Sequence, residues 1–196
     1  MTWPMRFFEA CPSQEWRTIF ATCRFGGLRC PSEVLALRWS DIAWDRGRFK
    51  VRSSKAAHCG KAEQIVPLFP ELLLELNALF TLVEPGVSDS ASSYVVQRFR
   101  DKQQNLSTQL NRIADVAGVE RWPKPFMALR ASRRTELERS GRHPNHVLNT
   151  WFGHTAKIAD EHYLTVTEAD FDVASASVVP FVVPSAGNQE PPRGFT

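Results

Sequence analysis

Apolar residues recur along this chain with two different periods. In SQEWRTIFATCRFGG, residues 13–27, Ile19, Phe20 and Cys23 fall on one helical face. Ser13 stands where an N-cap accepts from the first unpaired backbone N–H groups, and Gly26-Gly27 supply the stop. CPSEVLALRWSDI predicts a second helix with Pro31 in its first turn, broken at Ser40-Asp41. The period then falls to two. Phe49 and Val51 alternate with charged neighbours in RGRFKVRSS, which reads as a strand. EQIVPLFP, ended by Pro67 and Pro70, is its expected partner, and the polar KAAHCGKA between them is a hairpin tip.

Helical spacing dominates the rest. ELLLELNALFTLV is apolar enough for a core helix, and PGVSDSASS is a loop. YVVQRF suggests a short strand. NLSTQLNRIADVAG is amphipathic, with Leu106, Leu110, Ile113 and Val116 on one side and Gly118 at its end. After the breaker WPKP, ALRASRRTELERSG predicts a helix stopped by Gly141. HPNHVLNTWFG and TAKIADEHYL predict two short helices divided by Gly153. The sum is an α+β, mainly α-helical single domain with a small antiparallel sheet. Residues 1–13 read as an N-terminal remnant or linker, 14–177 as the domain, and 178–196 as a tail rich in Pro and Gly at its end. Val178–Val183 fits equally a strand closing its own core or a segment packing on a neighbouring subunit.

Composition narrows the class. With 196 residues, 43% hydrophobic, the chain can build one real core. The net charge is only +3, but it is unevenly spread. Arg46, Arg48, Lys50, Arg52, Lys55 and Lys61 stand against Glu63 alone in 46–64. Residues 121–143 carry seven basic side chains, Arg130, Arg133 and Arg134 among them, against Glu136 and Glu138. Two such stretches suggest a face for polyanions, or simply two solvated surfaces. Cys11, Cys23, Cys30 and Cys59 form no CxxC pair and suit no zinc site; they read as reduced structural thiols of a cytoplasmic protein. His143 and His146 lack a Cys or carboxylate to complete a metal set. No signal peptide or run of roughly 20 apolar residues is present.

Four short motifs carry chemistry. Arg29 follows the diglycine in GGLRCPSEV, and Glu33, four residues on, can reach back to it. SSKAAHCGK places Lys55 at the hairpin tip, with Lys61 as a competitor. LRASRRTEL carries Arg130. GHTAKIADEHY sets Tyr163 nine residues after His154, on a segment too polar for a core. Arginine suits a phosphate because its planar fork donates two parallel hydrogen bonds and keeps its charge. Tyrosine, with a pKa of roughly 10, attacks only when nearby positive charge or a base helps it ionise. Each residue also has a plainer reading: a surface ion pair for the arginines, a solvated lysine, a capping histidine, a half-buried tyrosine.

Taken together, in this order, these motifs resemble the catalytic domain of the tyrosine recombinases, or phage integrases, over about residues 14–172. The resemblance implies that Tyr163 attacks a DNA phosphate to form a 3′-phosphotyrosyl link. Arg29, Arg130 and His154 then stabilise the transition state, Lys55 protonates the leaving 5′ oxygen, and Glu33 orients Arg29. Arg52, Lys61, Arg133 and Arg134 are expected on the DNA-facing surface. The implied partner is double-stranded DNA, bound by a homo-oligomer, with no metal or nucleotide cofactor and no membrane. Two departures stand out. The family's histidine three residues before the second arginine is Met127 here, which can neither donate nor shuttle a proton. The N-terminal helical domain usual in the family has no counterpart in the 13 residues before the first expected helix. Both favour the alternative of a catalytically impaired DNA-binding remnant. A type IB topoisomerase-like enzyme is a further alternative.

Overall fold

The computed structural model describes residues 2–52, 63–83, 93–100 and 105–153. All belong to one compact unit, Met1–Leu164. Helix α1, Trp3–Ala10, is followed by α2, Gln14–Arg24, and then by turns and single 3-10 turns leading to the sheet. Strands β1 (Ile42–Ala43), β2 (Arg48–Arg52) and β3 (Glu63–Pro67) form an antiparallel sheet in that order. Four helices follow: α3 (Pro70–Phe80), α4 (Leu106–Val116), α5 (Pro125–Arg139) and α6 (Asn145–Phe152). The fold is α+β and mainly helical with one small antiparallel sheet, as the periodicities predict.

The core is built around α2. Ser13 caps it by accepting from the Trp16 N–H at 3.3 Å. Beyond the expected Ile19, Phe20 and Cys23 face, Thr18 and Thr22 are also fully buried. Their hydroxyls are satisfied by backbone carbonyls: Thr22 donates to Ile19 at 2.8 Å and Thr18 to Glu75 on α3 at 3.3 Å. The sheet adds Phe49, Val51 and Val66 on its inner face, with Phe49 opposite Val66. Gly118 and Gly141, expected helix stops, both adopt positive φ.

Several expectations give way to tertiary context. Residues 3–10, expected as a remnant or linker, form a helix of the core. Phe7 is fully buried and stacks on Phe20 at 4.4 Å, while Trp3 meets Trp122 edge-on at 5.4 Å. Pro4 does not prevent this helix, because it sits in the first turn, where its missing N–H is not needed. Residues 30–36 are a run of turns rather than an α-helix, since the Glu33 and Val34 N–H groups share the Arg29 carbonyl. YVVQRF forms no strand beyond an isolated bridge between Arg38 and Tyr94. Leu74 on α3 faces solvent, and Val116 is 76% exposed at the end of α4, where Ala114 and Ala117 are buried instead. Cys11, Cys23 and Cys30 are free thiols. Burial pushes the Cys11 thiol up to about 12, and burial, with a hydrogen bond to Cys30, pushes Cys23 up as well.

Candidate active site

Three motifs far apart in sequence meet at Arg130. This residue lies on α5 with only 2% of its side chain exposed. One terminal nitrogen donates to the Gly27 carbonyl and the other to the Phe152 carbonyl. Its guanidinium also lies over the Phe152 ring, 5.3 Å from the centroid. A buried guanidinium must find acceptors in place, and here backbone carbonyls from two other motifs provide them.

Glu33 ties Arg29 into the same cluster. Its carboxylate, 1% exposed, accepts from the Arg29 backbone N–H at 2.8 Å and from Arg29 Nη1 at 2.5 Å. Its other contact, to Arg130 Nη1, is 3.7 Å. One carboxylate thus stands between the two arginines, moderating their repulsion and fixing the Arg29 side chain, which keeps 29% of its surface open. Arg29 is therefore the accessible guanidinium and Arg130 the enclosed one.

Two glycines make this convergence possible. Gly27 has φ +67°, and a Cβ there would lie 2.6 Å from Phe152 Cε1. The close approach that the diglycine permits is thus to the Phe152 ring. Gly153 caps α6 at φ +58° and would meet Gln64 Oε1 of β3 at 2.3 Å. It immediately precedes His154, so the start of the fourth motif is anchored beside Arg130. His154, Tyr163, Lys55 and Lys61 themselves lie outside the described residues.

Of the expected DNA-facing arginines, Arg133 and Arg134 need correction. Arg133 and Arg134 are turned inward. Arg133 lies over the Phe69 ring at 4.3 Å and pairs with Glu136 at 3.0 Å and Glu71 at 3.7 Å. Arg134, fully buried, binds Glu138 and the side-chain carbonyls of Asn145 at 2.8 Å and Asn149 at 3.1 Å, so it fastens α6 to α5. Arg52 is partly open but held by the buried Asp41 at 2.5 Å. Met127, where the resemblance implies a histidine, is 51% exposed one turn before Arg130. Sequence reading overlooked the Gly27 and Phe152 carbonyls, which carry no residue-type signal, and Asp41, read only as a helix breaker. Among the described residues no cluster of His, Cys, Asp or Glu could hold a metal ion, and no helix is long and apolar enough to cross a membrane.

Comparison with known proteins identifies the family and the fold. The sequence model of the phage integrase family matches residues 5–169. No curated protein sequence matches the chain. Among solved structures, it is similar to XerA recombinase (TM-score 0.67, 19% identity, 89% of this chain and 60% of that one). It is also similar to XerH site-specific recombinase bound to its palindromic difH substrate in a post-cleavage complex (0.64, 17%, 89% and 50%). A third is the Tn1549 transposon integrase in complex with circular intermediate DNA (0.56, 17%, 83% and 57%). At such identities the likeness is one of fold. The chain spans less than two thirds of the length of each.

Proposed function

This chain belongs to the phage integrase family, and we propose that it supplies the catalytic domain of a site-specific DNA recombinase. In this reading Tyr163, its phenolic proton released to solvent under the positive charge of the site, attacks a backbone phosphorus through Oη, the P–O5′ bond breaks, and Lys55 gives a proton to the departing 5′ oxygen. The product is a 3′-phosphotyrosyl link and a free 5′-hydroxyl. Attack by a 5′-hydroxyl reverses the step, so the phosphodiester bond is restored without an external energy source. Double-stranded DNA is the substrate, held by a homo-oligomer.

The observation that carries the reading is the convergence on Arg130. The Arg29 turn, α5 and the end of α6 that leads to His154 are bound together by one guanidinium and one carboxylate. Phosphoryl transfer depends mostly on positioned positive charge, because there is little other chemistry for the protein to do. In this reading Arg29, the more open of the two, donates to a nonbridging oxygen. Arg130 adds positive charge from behind it, and His154 a further donor. Glu33 holds Arg29 in the orientation required.

The test uses nicked duplexes drawn from DNA flanking the chain's own gene, scored for a denaturation-resistant protein–DNA adduct. Wild type is expected to form the adduct and Tyr163→Phe to lose it. Met127 supports a second reading, an impaired remnant that binds DNA without cutting it, since the site lacks a proton-transferring group there. DNA binding without any adduct would establish the remnant and sink the recombinase. If the missing group only limits the rate, Met127→His should speed adduct formation, by up to about 10²-fold.

A further inference from the structure

A second arginine cluster lies outside the Arg130 site. An open groove of about 640 Å³ is lined by Arg38, Arg52, Tyr94 and Arg100, together with Pro31 and Ser32 from the turn that follows Arg29. Arg38 lies over the Tyr94 ring at 4.4 Å and donates to its hydroxyl at 2.9 Å. Arg100 lies 3.3 Å from the centroid of the same ring and donates to the Leu35 carbonyl. Stacking on an aromatic face fixes the plane of a guanidinium. Tyr94 is itself held, because Trp39 N–H donates to Ser93 at 3.1 Å and Val95 N–H to Leu37 at 3.0 Å, on either side of the Arg38–Tyr94 bridge.

We propose that this groove is a second phosphate site, taking a phosphodiester of the DNA backbone other than the one cleaved, with Arg38 and Arg100 as donors. Among the described residues no acidic side chain lines it, and the buried Asp41 accepts from Arg52 and from the Arg38 backbone N–H. It is open and not enclosed by apolar walls, which suits a backbone passing across it better than a small molecule held within it. Its lining comes from the turn after Arg29 and from the end of β2, whose next residues lead to Lys55. A phosphate seated there would set the register of the duplex against both motifs without reading sequence. The inference rests on the reading of the chain as a DNA-acting domain.

Anisotropy of a labelled duplex, titrated over a range of salt concentrations, tests it. Arg100→Ala should lower the salt slope by about 1 and weaken binding roughly tenfold at ~0.1 M salt. Arg100→Lys should keep the slope. Arg98→Ala removes the same charge from the same segment, at a side chain outside the groove, and should change the slope by less than half as much. Arg38→Ala is a second probe from the other face of Tyr94, expected to match Arg100→Ala. If Arg100→Ala behaves like Arg98→Ala while wild type binds, the groove proposal is overturned and the recombinase reading stands. If wild type binds no duplex at low salt, both fall. Thermal stabilisation by inorganic pyrophosphate that requires Arg100, with no change in the DNA slope, would assign the groove to a free anion and also overturn the proposal.

Discussion

Arg130 and Arg100 are the same residue in opposite surroundings. Arg130 is almost wholly enclosed, and its nitrogens meet the carbonyls of Gly27 and Phe152 and the Glu33 carboxylate. Arg100 is exposed, lies on one aromatic ring, and donates to one carbonyl. Taking a guanidinium out of water costs several kcal/mol unless every part of its shell is in place. The enclosed arginine is therefore part of what holds the fold, and the parts of the site it touches come together with it. The exposed arginine costs the fold little to keep and little to lose, so its charge is available to a partner. A charge census treats the two alike; burial separates them.

The largest test of this contrast is Glu33→Ala. It removes the carboxylate between Arg29 and Arg130 and should cost about 3–5 kcal/mol in urea unfolding. Arg100→Ala should stay within about 0.5 kcal/mol. Equal costs would erase the distinction. Next is Arg134→Ala, which leaves Glu138, Asn145 and Asn149 without their shared partner and should cost about 1.5–3 kcal/mol. The salt slope of DNA binding should not move, and a fall of one would return Arg134 to the DNA-facing surface.

Gly27→Ala should cost about 1–2 kcal/mol from its left-handed backbone alone. The clash with the Phe152 ring adds to this. Gly153→Ala has a similar φ but meets only the far end of the Gln64 side chain, so it should cost less. The reverse order would show that the Phe152 ring is not packed on Gly27 in solution.

The smallest effect concerns Glu136. Burial raises its carboxyl pKa, but hydrogen bonds from Arg24 and Arg133 outweigh this, and the net direction is down from 4.5. A carboxylate with a lowered pKa in the folded state adds stability above its ordinary pKa. That stability is lost as pH falls through the lower folded value. Glu136→Gln should therefore flatten the acid limb of the stability–pH curve below about pH 4.5. The change should be under about 1 kcal/mol, because half of the side chain is in solvent and its ion pairs are screened.

Much of the fold is legible because it is local. The alternation of Phe49 and Val51, the Ser13 cap, and the glycine stops at 118, 141 and 153 each follow from a few neighbouring residues. β1 is too short, at two residues, to leave a period. Helix α1 is hidden by its length and by Pro4, and gains its stability from Phe20 on α2 and from Trp122 ahead of α5. Arg29, Glu33 and Arg130 could be named from motif spacing, and the structure brings all three together. The groove around Tyr94 could not, because it joins segments separated by 56 residues through a side-chain contact that no period announces.

By itself, then, the sequence determined which residue types stand in each motif and the helical and strand periods. Tertiary structure alone decided which way each arginine points. Arg130, Arg133 and Arg134 occupy one basic stretch of one helix, yet each is drawn inward by a different set of acceptors. The Gly27 carbonyl that receives Arg130 lies 103 residues away. A buried guanidinium goes where acceptors are waiting, and those acceptors exist only once distant segments have packed.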